Sequence, residues 1–327
     1  MVTTTAPPIH LRQLLIVAAA SAAMLVGGSL HAADIEWTGN GATDNWSDTG
    51  NWTNGVLPGY DDRGLFPGGG TPGGPNFAYM VEFTEDADGG INVVGGNTWQ
   101  GADVVLNMNT FTLTSTSQQL VVGGGVNSLG SLTVNNGTLN QRNSGFWGGQ
   151  VYVNNAAINF THGGSWNAGT GLFLDNGSVN WGPARNWNSN NDSQMSFKGD
   201  STFAAHYVNF ANGSGHVTSF ELNNDDYGTA RITATQTVTA ANLISFSLAA
   251  GYTHALNDVF HLIATDTSIS GEFNDLAHGQ VITVGGYDFQ ADYGSNYLNL
   301  VAVPEPASLA LLGLGGLAML GRRRQRA

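Results

Sequence analysis

The sequence contains no cysteine. That excludes disulfides, Cys-ligated zinc, iron–sulfur clusters and a thiolate nucleophile, and leaves stability to packing and backbone ladders. Charge is scarce as well. Asp, Glu, Lys and Arg make up 10% of 327 residues, against about a quarter in an ordinary globular domain. Basic residues are scarcest, 10 against 24 acidic ones. Between positions 34 and 303 they are only Arg63, Arg142, Arg185, Lys198 and Arg231, against 23 carboxylates, a net charge of 5 − 23 = −18. Such a surface repels phosphate backbones, so no nucleic-acid partner is expected. His-Glu-x-x-His spacing and a Gly-x-Ser-x-Gly elbow are both missing, and Gly123-Gly124-Gly125 lacks the lysine of a phosphate loop. The scattered basic residues mark no lyase site, and the chain is expected to have no catalytic residues.

What is present begins with two apolar ends. Residues 1–33 carry Arg12, an apolar run over 14–26, a Gly27-Gly28 break and small residues at Ala32 and Ala33. This pattern predicts a cleaved export signal. At the other end Val303-Pro304-Glu305-Pro306 precedes an apolar stretch over 307–320 and the basic cluster Arg322, Arg323, Arg324 and Arg326. The stretch is short for a membrane span, but flanking arginines can snorkel and lengthen it, and they belong on the cytoplasmic side. The body would then lie outside the cell, anchored transiently or permanently by a C-terminal helix.

The order Pro304-Glu305-Pro306, apolar helix, arginine cluster resembles the PEP-CTERM sorting signal. The resemblance covers residues 303–327. It implies export to the cell surface, processing by an exosortase-type membrane enzyme, and a setting in which extracellular polysaccharide is made.

Between the ends no helical period is sustained. Short alternating runs bounded by Gly and Asn predict an all-β body. Runs starting at Leu132, Val151, Leu172 and Met195 repeat one pattern at steps of 19, 21 and 23 residues. Each has alternate apolar positions, an Asn/Asp/Gly corner and a further apolar position; Val104 opens an earlier, more divergent copy. A unit this short cannot bury its apolar face alone, whereas stacked units bury it together and let asparagines ladder between rungs. The expected fold is therefore a parallel β-helix, with an antiparallel β-sandwich as the alternative. The expected organisation is a signal over 1–33, an N-terminal cap with a Gly/Pro-rich loop over 34–100, and repeats over 101–216. C-terminal rungs and a cap follow over 217–302, then the sorting tail over 303–327. Trp37, Trp46 and Trp52 with their Asn and Gly neighbours resemble the opening of secreted β-helix proteins. Asp258-Val259-Phe260-His261-Leu262-Ile263, Ser270-Gly271-Glu272-Phe273 and Phe289 to Tyr293 resemble the closing rungs of autotransporter-type passenger domains.

Two sets of residues are candidates for binding. Trp147, Trp166 and Trp181 on one solenoid face would stack on sugar rings, although large aromatics are more commonly core. The acidic groups Asp61-Asp62, Glu85-Asp86 with Asp88, and Asp225-Asp226 are of the type that holds Ca²⁺, but they lack a recognised loop spacing, and solvated loop charge is the commoner account of such groups. No other cofactor is expected. The reading is an exported structural or adhesive surface protein. The alternatives are a carbohydrate-binding protein using those tryptophans and a glycan-active enzyme.

Overall fold

The computed structural model describes residues 33–68, 77–93, 101–123, 130–146, 148–166, 170–182, 185–189, 191–223, 229–253, 255 and 257–304. All but the last residue of the expected export signal over 1–33, most of the Gly/Pro-rich loop and the tail beyond Pro304 lie outside the described residues. The body is a parallel β-solenoid, and the antiparallel sandwich is not what forms.

One sheet has eight strands, all parallel. In spatial order they are Phe77–Glu82, Ala102–Asn107, Ser131–Asn135, Gln150–Asn154, Gly171–Asp175, Gln194–Lys198, Val217–Leu222 and Leu243–Leu248. The repeat seen in the sequence is the register of this sheet: Leu132 pairs with Val151, Val151 with Leu172, and Leu172 with Met195. Val104 extends the column at one end, and Thr218 and Ile244 extend it at the other. Side chains alternate across a strand, so Leu132 and Val134, Val151 and Val153, and Leu172 and Leu174 all point inward and are buried. Each such side chain contributes about 1.5–3 kcal/mol of burial.

After a corner the chain enters a second sheet. Its inward column runs Leu113, Leu139, Ile158, Val179, Phe203, Ile232 and Ile263, again in parallel register. The corners between the two sheets need left-handed backbone. Asn136, Asn155 and Asn176 supply it on successive rungs with φ of 56°, 48° and 49°, a conformation asparagine tolerates better than most residues. From Trp181 onward the rung lengthens and gains a third side. Asn186–Asn188, Tyr207–Asn209, Val238–Thr239 and Ile269–Ser270 form a four-stranded parallel sheet there.

Both ends of the solenoid are finished. Asp34–Glu36 pairs with Arg63–Phe66 and that strand with Gly90–Val93, so the N-terminal segment belongs to the second sheet. Trp37, Trp46 and Trp52 pack edge-to-face beside it, with ring centroids 4.9 and 4.7 Å apart, and cover the first rung together with Phe66 and Phe83. At the far end the sheet turns antiparallel. Val259–Thr265 pairs with Tyr297–Val303, which pairs with Tyr287–Tyr293 and through it Val281–Val284. This hairpin array occupies the last rung's open edge, which would otherwise be a template for further chains.

Candidate functional site: the outer faces and the tail junction

The tryptophans divide differently from the sequence expectation. Trp181 does not share an outer face with the other two. It follows Val179 at the same strand parity, points inward and is fully buried, edge-on to Phe160 at 5.3 Å. Its indole donates to the Asn186 carbonyl at 3.3 Å. Trp181 is core, and no sugar reaches it. Trp166 ends the short strand Gly164–Trp166, which pairs with Thr138–Phe146; its side chain and the whole of Trp147 lie outside the described residues. Trp187 is also buried, beside Phe203 and Phe210.

Two of the acidic side chains cap backbone amides. Asp62 accepts from the amides of Ala33 at 3.0 Å and Gly59 at 3.1 Å. Asp86 accepts from the Thr112 amide at 2.8 Å. Asp225-Asp226 lies outside the described residues. Among the described residues no three His, Asp or Glu side chains gather closely enough to share a metal ion.

One histidine has a specific environment. His216 is fully buried, with Nδ1 2.8 Å from Ser193 Oγ and Nε2 2.9 Å from Thr218 Oγ1. Its ring packs on Trp187 and Phe210, each with centroids 5.5 Å away. Burial pushes its pKa down to about 4, against a smaller upward pull from the Ser193 contact. A Ser–His contact is half of a nucleophile–base pair. Here both residues are sealed from solvent and the other ring nitrogen meets a hydroxyl, so the arrangement pins the third side of the solenoid to the first.

The outer face of the eight-stranded sheet carries the predicted asparagine ladder. Asn107 Nδ2 donates to Glu82 Oε1 at 2.6 Å, Asn135 to Asn107 Oδ1 at 2.9 Å, and Asn154 to Asn135 Oδ1 at 3.0 Å. A second ladder joins Asn159 to Asn140 on the neighbouring sheet at 3.0 Å. Beside the first, Tyr152 and Phe173 stack from adjacent rungs with centroids 4.9 Å apart. The left-handed corners leave a shallow groove of about 450 Å³ lined by Thr110, Asn136, Asn155 and Asn176. Apart from the Glu82 carboxylate at the end of the first ladder, the laddered groups are neutral amides.

The sorting motif leaves the solenoid without a linker. Val303 ends the strand opposite Asp288, and Pro304 follows it, exposed. Glu305, Pro306, Arg322, Arg323, Arg324 and Arg326 lie outside the described residues. Among the described residues no helix is long and apolar enough to cross a membrane. No curated protein and no solved structure matches the chain. A family model does match its end. Residues 302–325 fit the PEP-CTERM protein-sorting motif, so the chain carries, directly after its capped β-solenoid, the signal of an exported protein sorted through its C-terminus and processed by an exosortase-type enzyme.

Proposed function

We propose that the solenoid is a structural and adhesive component of the extracellular polysaccharide layer, delivered there by its C-terminal signal. The observation that carries this reading is the junction at Val303–Pro304. A packed body with laddered outer rows of Asn is joined directly to a sorting signal. An outer surface of this kind meets sugar hydroxyls with paired donors and acceptors, and it needs no catalytic group to do so. Before processing, the apolar stretch over 307–320 holds the chain at the membrane with the arginine cluster on the cytoplasmic side.

The test is a comparison of the intact chain with a truncation of 303–327 and with a variant carrying Ala at Pro304, Glu305 and Pro306. The intact chain should show a size decrease on export and fractionate with the cell surface. Both variants should lose the size change and the surface retention. Unchanged processing and localisation would overturn the proposal.

A further inference from the structure

Two of the basic residues that the sequence scatters come together with two histidines at one corner of the solenoid. Arg142, His162, Arg185 and His206 occupy consecutive rungs. The His162 amide donates to the Arg142 carbonyl at 2.7 Å, and the His206 amide to the Arg185 carbonyl at 3.2 Å. Between these pairs lies Gly163, in left-handed backbone at φ 66°. A Cβ there would collide with the Cβ and Cγ of Arg185, so the arginine stem runs across the glycine beside His162. At about 4.8 Å per rung the four residues span about 14 Å along the axis.

The row is available to a partner. Arg142, His162 and Arg185 are exposed and His206 is half-buried. Among the described residues the ion pairs are Arg63–Asp34 and Arg231–Asp200, so neither Arg142 nor Arg185 meets a carboxylate there. Both imidazoles are oriented by threonines: Thr161 Oγ1 lies 2.8 Å from His162 Nδ1, and Thr235 Oγ1 lies 2.8 Å from His206 Nδ1. Among the described residues neither Nε2 has a hydrogen-bond partner. The first carboxylate beyond Thr235 is Asp266, on the following rung.

We propose that this row docks an extended polysaccharide bearing carboxylates, lying along the solenoid axis with its acid groups on Arg142 and Arg185 and further contacts to His162 and His206. The inference rests on the polysaccharide-layer reading above and names the charge of the partner. Guanidinium forks match carboxylates with two parallel hydrogen bonds, and each such pair is stronger than a neutral one. A row one side chain wide, with one cationic or imidazole group per rung, fits a narrow polymer with regularly spaced anions. Duplex nucleic acid, with one charge per roughly 1.7 Å, would bring many more phosphates than the row has cations, against a body whose net charge between positions 34 and 303 is 5 − 23 = −18. A polyuronate has far lower charge density. Beyond a Debye length of about 8 Å the other carboxylates of the body are screened, while the direct pairs are not.

The experiment is affinity electrophoresis of the secreted protein in gels containing polygalacturonate, dextran or a single-stranded oligodeoxynucleotide, repeated at rising salt. The wild-type chain should be retarded by polygalacturonate alone, and less so as salt rises. The double variant Arg142→Gln/Arg185→Gln should weaken retardation about tenfold or more. Lys198→Gln, on the outer face of another sheet, should leave it unchanged. The proposal falls if the double variant binds as wild type does, or if Lys198→Gln costs as much. It also falls if polygalacturonate does not retard the wild type, or if dextran or the oligonucleotide retards it equally. None of these outcomes touches sorting by the tail, which the truncation of 303–327 reads separately.

Discussion

Replacing His216 isolates the cost of keeping a neutral imidazole inside the solenoid. In the folded chain burial holds its pKa at about 4, while in the unfolded chain it returns to the ordinary 6.5. A depressed folded pKa gives stability that is complete above 6.5 and is lost as pH falls toward 4, because the unfolded state then binds a proton that the folded state refuses. Each pH unit of separation is worth about 1.4 kcal/mol, so the full loss is about 3 kcal/mol, of which about 2 kcal/mol is gone by pH 5. Other groups titrate over the same interval, and the relief of net acidic repulsion acts in the opposite direction. The useful quantity is therefore the difference between wild type and His216→Gln, which keeps polar atoms at the site but does not titrate. Urea unfolding from pH 7.5 to 5 should show Gln less stable by about 1–3 kcal/mol at the upper end, for lost packing and a lost hydrogen bond. That gap should narrow by about 2 kcal/mol at the lower end. A gap independent of pH, or an imidazole NMR titration of the folded protein near 6.5, would refute the reasoning.

Two further substitutions test the packing. Trp181→Ala removes a fully buried ring and should destabilise the fold by about 3–5 kcal/mol; loss of sugar binding with unchanged urea stability would instead place the ring outside. Gly177→Ala would drive a methyl group into the Val153 carbonyl at the asparagine corner, and should lower stability by about 1–3 kcal/mol in thermal melts, whereas Asn155→Gly in the adjacent column, already at φ 48°, should change it by less than about 1 kcal/mol.

Much of this fold is legible in the sequence because a parallel solenoid turns repeat spacing into strand register. Leu132, Val151, Leu172 and Met195 begin similar nine-residue units, and those positions pair directly. The repeat fades after Met195 because the same column continues with Thr218, a buried hydroxyl bonded to His216, so apolarity no longer marks the inward position. The third sheet leaves little pattern because its strands are two or three residues long, too short for alternation to show. The burial of Trp181 had a signal: it shares strand parity with Val179, and parity outweighs the general aptitude of tryptophan for sugar. The export signal and the anchor helix are expectations from sequence outside the described residues, whereas the sorting motif is matched directly.

The basic row shows how distance should be measured in such a chain. Arg142, His162, Arg185 and His206 are separated by 20, 23 and 21 residues, which in a globular fold says nothing about proximity. Those intervals are the repeat length of this solenoid, so each step in sequence is one rung in space. A side chain that recurs at the repeat period becomes a line of identical spacing on the surface, and such a line selects ligands that are themselves periodic. For that reason the same rule that buries leucines in a column can gather cations on an acidic body. Two of the five basic residues between positions 34 and 303 fall on this one corner. The outer rows of asparagine obey it too, and their laddered amides are neutral where the basic row is charged. The chemical class of a partner is therefore set by which outward position of the repeat it lies along.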